Sequence, residues 1–270
     1  MEDAEKKMFS HHEGGSLNEG PVLGQNKPIL TVILPCYNEE ENIKRIPGEL
    51  MPILRETGMD CEIIIIDDGC TDNTVSIARN LNIPQLKIIQ HGKNKGLGEA
   101  IKTGFANVSG DIVITLDADF TFHPGLIIPL LERFKKNDVD LVIGSPKLTG
   151  LYENVPFYRI IMSKGANLVY GFLFNKPVTA ISQILRLYRA KDIKGLKIDT
   201  TGFDVFAEIL FKLVVVQNKR FAEIPAPLSS RIYGVSKLDY KKETIRHLRL
   251  LLKIAKWRIG NVFAPSNKRI

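Results

Sequence analysis

The sequence predicts an α/β fold in which helices flank a mostly parallel sheet. Two observations carry that expectation. Short apolar runs alternate with longer stretches of helical spacing as far as residue 144, which is the rhythm of βαβ units. Several of these runs end abruptly in polar or acidic residues, as expected where an open α/β sheet gathers ligand-binding groups at the carboxyl ends of its strands. A chain of 270 residues is also long enough to bury one full core.

Leu30–Leu34 reads as the first strand and runs through Pro35-Cys36-Tyr37-Asn38-Glu39 into an acidic helix start, with the helix expected over Glu40–Glu56. Glu62–Ile66 repeats the plan, ending in Asp67-Asp68-Gly69 before a helix over Asp72–Leu81. Leu86–Gln90 is a third short strand, and Asn94-Lys95-Gly96-Leu97-Gly98 opens a helix over Leu97–Val108. Asp111–Leu116 is an apolar run and hence a buried strand. A helix over Pro124–Lys136 and a strand over Asp140–Ile143 follow.

Past Pro146 the pattern changes to an amphipathic stretch over Phe157–Phe174, a strand around Ser182–Tyr188, a helix over Phe203–Gln217 and a strand near Phe221–Ile224. Residues 1–27 carry no apolar core of a signal peptide and are expected to form a flexible tail. The expected organisation is a first lobe over 28–145, a second over 146–240, and a basic amphipathic helix with its tail over 241–270.

The chemistry-bearing residues cluster at the strand ends. Asp117 and Asp119 follow the fourth strand with one residue between them, and two carboxylates so placed can hold Mg2+ or Mn2+ with positions left open for a diphosphate. The same residues also serve as turn formers or caps. Asp72 is read as a cap for the helix starting near Thr74, and His123-Pro124 as an ordinary helix start. Thr201 with Asp204 three residues later has capping spacing, while Asp204 and Glu208 are also acids that could act as a base. The Gly-x-Gly at Gly96–Gly98 matches neither the dinucleotide fingerprint nor the P-loop.

Taken together and in order, Pro35-Cys36-Tyr37-Asn38-Glu39, Asp67-Asp68-Gly69-Cys70-Thr71-Asp72, Asn94-Lys95-Gly96-Leu97-Gly98, Asp117-Ala118-Asp119 and Arg231-Ile232-Tyr233-Gly234-Val235-Ser236-Lys237 resemble family 2 glycosyltransferases. Within that group the chain is most similar to the dolichol-phosphate mannose and glucose synthases, over about residues 29 to 240. The resemblance implies a GT-A fold with a Rossmann-like sheet and a C-terminal acceptor lobe. It also implies inverting, metal-dependent transfer of a hexose from a nucleotide-diphosphate sugar, GDP-mannose or UDP-glucose, to a polyprenyl phosphate such as dolichyl phosphate.

Residue by residue, the resemblance makes Asp119 the direct metal ligand and Asp117 a contact shared between ribose and metal. Thr121 falls where relatives supply a further oxygen, and it reads equally as a helix cap. Pro35, Tyr37, Glu39 and Asp68 are placed around the donor's base and ribose, Asp67 is a further donor-site candidate that reads also as a cap for the helix starting near Thr74, and Lys95 and Gly96 are placed near the donor's phosphates. Arg231, Ser236 and Lys237 match a loop that closes over the phosphates. Lys164 stands where relatives carry an arginine, keeping the charge without the bidentate fork. A phosphate monoester acceptor has a second pKa near about 6 and needs positive charge rather than a general base.

The second half departs from the family pattern. Gly144-Ser145 is followed by Pro146-Lys147 instead of an arginine, and Ala180-Ile181-Ser182-Gln183 replaces an Asp and a Ser-Gly or Thr-Gly pair before Arg186-Leu187-Tyr188-Arg189. Two alternatives follow: transfer to a hydroxyl acceptor in glycan synthesis with Asp204 as base, and a non-catalytic GT-A-like binding protein.

No segment has the roughly 18 consecutive apolar residues of a membrane span. From Arg231 onward, however, 11 Lys or Arg face only Asp239 and Glu243, a local charge of +9 against −2 for the first 230 residues. Ile245, Leu248, Leu252, Ala255 and Ile259 fall at helical spacing beside these cations. That pattern suits either a helix lying on an anionic membrane surface or one packed on the enzyme's own core. The expected location is cytoplasmic, peripheral on the cytosolic membrane face, with room for a membrane-protein partner. Nucleic acid is not expected, because no aromatic-interleaved platform accompanies the charge. Cys36, Cys61 and Cys70 lack zinc-site spacing and read as reduced thiols.

Overall fold

The computed structural model describes residues 29–149, 157–233 and 240–262. Seven strands, β1 (Ile29–Cys36), β2 (Asp60–Asp67), β3 (Leu86–Gln90), β4 (Ile112–Thr115), β5 (Leu141–Ser145), β6 (Arg186–Arg189) and β7 (Phe221–Pro225), form one sheet. Their order is β3-β2-β1-β4-β6-β5-β7. Only β6 runs antiparallel to its neighbours β4 and β5 among the described pairings.

The chain steps outward from β1 through β2 to β3 and then crosses to β4 on the other side of β1. That reversal of direction is where open α/β sheets form a ligand crevice. Register pairs Cys36 with Asp67 and Ile33 with Thr115. The segments after β1, β2 and β4 therefore leave the sheet along one edge.

The helices are α1 (Glu40–Ile43), α2 (Met51–Glu56), α3 (Thr74–Asn80), α4 (Leu97–Ala106), α5 (Ile127–Lys135), α6 (Phe157–Phe174), α7 (Ala190–Ile193), α8 (Val205–Phe211) and α9 (Tyr240–Val262). They cover both faces of the sheet. The four isoleucines of β2 divide between the two resulting cores: Ile64 and Ile66 join Phe105, Tyr170, Tyr188 and Phe206, while Ile63 and Ile65 join Leu34, Ile43, Leu50 and Leu130. This is the period-two alternation of a strand buried on both faces.

Three expected elements differ in form. The helix over Glu40–Glu56 is interrupted by a wider π turn at Ile46–Leu50, because Pro47 and Pro52 cannot donate backbone hydrogen bonds to the helical ladder. The strand around Ser182–Tyr188 begins only at Arg186, since the carbonyls of Gln183 and Ile184 accept side-chain bonds from Arg186 and Thr115 instead of pairing in a ladder. The helix over Phe203–Gln217 starts at Val205 and changes to a π turn over Lys212–Val216.

The long C-terminal helix keeps the expected apolar stripe off the core. Its core contacts come from Leu250 and Ile254, supported by Leu251, and Trp257 meets Phe211 edge-on at 5.2 Å between ring centroids. Ile245, Leu248, Leu252 and Ile259 point outward and are 50 to 63% exposed. They lie near exposed Lys241, Lys242, Arg249 and Lys256 on the same helix. No helix among the described residues is long and apolar enough to cross a membrane.

Candidate functional site

The edge of the sheet is organised by carboxylates that accept backbone N–H groups. Asp67 receives Cys70 N at 2.7 Å and Gln90 Nε2 at 2.9 Å. Burial opposes its charge, yet these bonds hold its carboxyl below the usual range. Asp68 receives Lys95 N and Gly96 N, each at 2.8 Å, and faces His91 Nδ1 at 2.8 Å. It thus pins the loop ahead of α4 to the end of β2. Asp72 receives Thr74 N at 3.0 Å and Glu40 N at 3.2 Å, joining the starts of α3 and α1.

The glycines of Gly96-Leu97-Gly98 have a local reason. A Cβ on Gly96 would lie 2.5 Å from the Thr201 carbonyl oxygen, and one on Gly98 would lie 2.4 Å from that of Thr200. Gly98 N donates to Thr201 O at 2.9 Å. Close approach of the 200–201 segment to α4 therefore requires both positions to be bare. Glu208 holds that segment from behind, accepting Thr200 N at 2.8 Å and Asp199 N at 3.0 Å while pairing with Lys212 at 2.7 Å. Burial works against its charge, and the lysine and Thr200 keep its carboxyl below the usual range.

Beyond β4, Asp119 is buried and folds its carboxylate back on its own turn. Thr121 N and Oγ1 donate to Asp119 Oδ1 at 2.9 and 2.6 Å, while Phe120 between them adopts a left-handed φ of 53°. Asp119 Oδ2 meets the Arg231 guanidinium, which also lies 3.9 Å from Glu39 Oε1. Ser229 N donates to Thr121 O at 2.9 Å. Burial, and then the charge of Asp119, pushes the Asp117 carboxyl well above the usual range. Two carboxylates so close disfavour a second negative charge, and a hard divalent cation would relieve it, so the donor set fits such an ion. No group of three or more His, Cys, Asp or Glu side chains among the described residues is placed to hold a metal. A cation here would draw its remaining ligands from a diphosphate and water.

Of the sequence-derived residues, Asp119, Thr121, Glu39 and Arg231 come together directly, with Asp117 two residues before Asp119. Pro35 and Tyr37 stand at the end of β1, Pro35 half-buried and Tyr37 exposed. Lys95 is exposed, its backbone N–H spent on Asp68. Lys164 falls on α6, but its side chain is outside the described ones. Ser236 and Lys237 lie outside the described residues. His123 accepts Gly125 N at 3.0 Å on Nδ1, capping the short turn that begins at Pro124.

Asp204 does not form the expected capping box. It is itself the residue before α8, makes no side-chain cap bond, and leaves a buried Oδ1 without a partner among the described residues. Burial, then the neighbouring Glu243 charge, raises its carboxyl.

Three structural charges escape sequence reasoning. Arg186 is fully buried and gives its guanidinium to the carbonyls of Ala180, Ile181, Gln183 and Phe206 at 2.6 to 3.2 Å. Glu223 accepts Thr179 N and Ala180 N, both at 2.9 Å. Arg45 bonds to the Asp119 main chain. Its i,i+4 spacing to Glu49 was the one visible signal, and it marks a helix pair rather than a site.

The comparisons with known proteins agree with this geometry. Residues 31–196 match the model of glycosyl transferase family 2. The chain is 34% identical over 236 residues to a dolichol-phosphate mannosyltransferase from Pyrococcus furiosus, a match covering 84% of this chain. The chain spans 64% of that protein's length. It is 29% identical to a polyprenol monophosphomannose synthase from Mycolicibacterium smegmatis, over 89% of this chain and 91% of that one. Among solved structures it resembles glucosyl-3-phosphoglycerate synthase from Mycobacterium tuberculosis, crystallised with Mn2+, UDP and phosphoglyceric acid. That likeness has a TM-score of 0.64 at 18% identity, covering 88% of this chain and 80% of that one, and shows a shared fold. With the fold, the carboxylate edge and the family match in agreement, the chain belongs to glycosyl transferase family 2.

Proposed function

We propose that this protein transfers a hexose, with inversion, from a nucleotide-diphosphate sugar to a polyprenyl phosphate at a membrane surface, using Mg2+ or Mn2+ held by Asp117 and Asp119. The observation that carries the reading is the meeting of Arg231 with Asp119 and Glu39. A cation from the segment after β7 reaches the carboxylate edge built by β1 and β4, where the two phosphate-bearing substrates would have to meet.

Bound there, the metal would supply positive charge to the departing diphosphate. The chain's own groups do the rest. Glu39 and the end of β1 line the proposed donor crevice, Lys95 lies beside it, and Arg231, engaged by Asp119 and Glu39, brings a guanidinium of the kind that binds phosphate. Asp68 has three partners within the protein, so its part in donor binding is to hold the 95–96 backbone in place. An acceptor phosphate is already ionised at neutral pH and asks for no base.

A bilayer surface suits the outward face of α9, whose apolar stripe runs beside four cations, and exposed Leu168 and Phe172 on α6 add to the apolar surface. With each basic residue near an anionic surface contributing about 1 kcal/mol, a few engaged residues suffice for retention. Co-sedimentation with phosphatidylserine vesicles should exceed that with phosphatidylcholine vesicles and should fall as salt is added.

The deciding experiment is an acceptor screen of GDP-mannose and UDP-glucose with dolichyl and shorter polyprenyl phosphates, with and without EDTA. Metal-dependent formation of a glycosyl phospholipid supports the reading. Transfer only to sugar hydroxyls would favour the alternative with Asp204 as base, whose raised carboxyl is the observation on its side.

A further inference from the structure

Arg45 lies outside the expected donor and acceptor residues, yet it is bound to the turn that carries the cation ligand. Its Nη1 donates to the main-chain oxygen of Asp119 at 2.7 Å. Its Nε and Nη2 grip both oxygens of Glu49 at 2.7 and 2.9 Å, which fixes the plane of the guanidinium. The same Nη1 reaches Asn42 Oδ1 at 3.3 Å, and Asn42 Nδ2 in turn donates to Glu39 Oε2 at 2.6 Å. The guanidinium carbon also stands 5.2 Å from the centroid of Phe120.

These contacts converge on a strained place. Phe120, an aromatic residue, holds a left-handed φ of 53°, a conformation that non-glycine residues keep only when their surroundings enforce it. That turn brings Thr121 back onto Asp119 Oδ1 and leaves Oδ2 to Arg231. Arg45 grips the backbone on one side of the strained residue and its ring on the other.

We infer that Arg45 is a positioning residue for the cation site: it fixes the Asp119 main chain, and with it the direction of the carboxylate, from the helical segment after β1. The inference rests on the proposed cation role of Asp119, and it predicts a defect specific to metal binding. Groups that orient a metal ligand typically contribute about 10- to 100-fold in metal affinity.

The test is Mn2+ binding by the full chain in the presence of UDP or GDP, read from the electron paramagnetic resonance signal of free Mn2+. Arg45→Ala should weaken Mn2+ binding about tenfold, while nucleotide binding in EDTA stays at the wild-type level. Arg45→Lys should recover only part of the loss, because an ammonium reaches the carbonyl but cannot also grip Glu49. Should Arg45→Ala fail to fold, Arg45→Lys and Glu49→Gln carry the test, and both should weaken Mn2+ binding without changing nucleotide binding in EDTA. Wild-type Mn2+ affinity in the folded variants, or equal losses in Mn2+ and metal-free nucleotide binding, would overturn the assignment. Asp119→Ala is the control that separates the two readings. If it binds Mn2+ as wild type does, the cation site itself is misplaced; if it loses Mn2+ while folded Arg45 variants keep it, only the role of Arg45 fails.

Discussion

The two halves of the sheet use charge in opposite ways. Along the β1–β2–β4 edge the charges are carboxylates at strand ends; Asp119 meets Arg231, and Asp117 beside it is held well above the usual range by burial and the Asp119 charge. In the β5–β6–β7 half the charges of buried Arg186 and half-buried Glu223 are wrapped in backbone carbonyls and N–H groups. The first pattern is electrostatically incomplete and the second is closed. Incompleteness marks where a ligand belongs, and the closed half supplies the cation, Arg231, that partly answers it.

The sharpest test of that contrast is Asp119→Ala. If the open edge is the chemical site, the variant should keep its far-ultraviolet spectrum and lose transfer by about 10²- to 10³-fold, the usual cost of removing one preorganised electrostatic contact. Thr121→Ala should cost far less, since Thr121 only steadies one oxygen of the same carboxylate. Near-normal turnover by Asp119→Ala would move the chemistry elsewhere.

Arg186→Leu probes the closed half. It strips partners from buried carbonyls, each worth about 1 to 3 kcal/mol when left unsatisfied, so a loss of at least about 3 kcal/mol in unfolding free energy is expected by urea titration. The fraction that folds should still bind nucleotide. A variant of wild-type stability would show that Arg186 is there for a ligand and not for the loop.

The difference between the halves also explains what was legible in the sequence. Strand ends such as Ile66-Asp67-Asp68 and Leu116-Asp117-Ala118-Asp119 are local patterns: an apolar run stops and acids begin, and the parallel register then aligns them. The segment 180–186 carries no such pattern. Its carbonyls, not its side chains, hold Arg186, so Ala180 and Gln183 fit where the family pattern has other residues. On α9 the sequence left two readings open for a related reason: helical periodicity finds an apolar stripe, but Leu250 and Ile254 form a second stripe, and only packing decides which one faces the core.

Arg231→Ala tests the link between the halves. Because its guanidinium engages Asp119 from the other half of the chain, turnover should fall about tenfold or more, while calorimetry of UDP or GDP binding changes little. Loss of nucleotide affinity equal to the loss of turnover would place Arg231 in the donor pocket alone.

The smallest expected effect separates the two acceptor readings. Asp204 has a buried oxygen with no partner among the described residues, and burial together with Glu243 raises its carboxyl. A group whose folded pKa is raised favours folding while it is protonated and loses that contribution as pH climbs from the ordinary carboxylate range through the raised value. Asp204→Asn should therefore be more stable than wild type at pH 7, by an amount on the order of 1 kcal/mol. The two proteins should converge near about pH 3, where Asp204 is protonated in both the folded and unfolded chain. Thermal denaturation at the two pH values reads the difference directly. If the stabilised variant keeps full transfer to a polyprenyl phosphate, the raised carboxyl is a feature of packing between α8 and α9, and the closed half stays closed. If it gains stability and loses transfer, Asp204 is a base held in readiness, the acceptor is a hydroxyl, and the second half is open at one place after all.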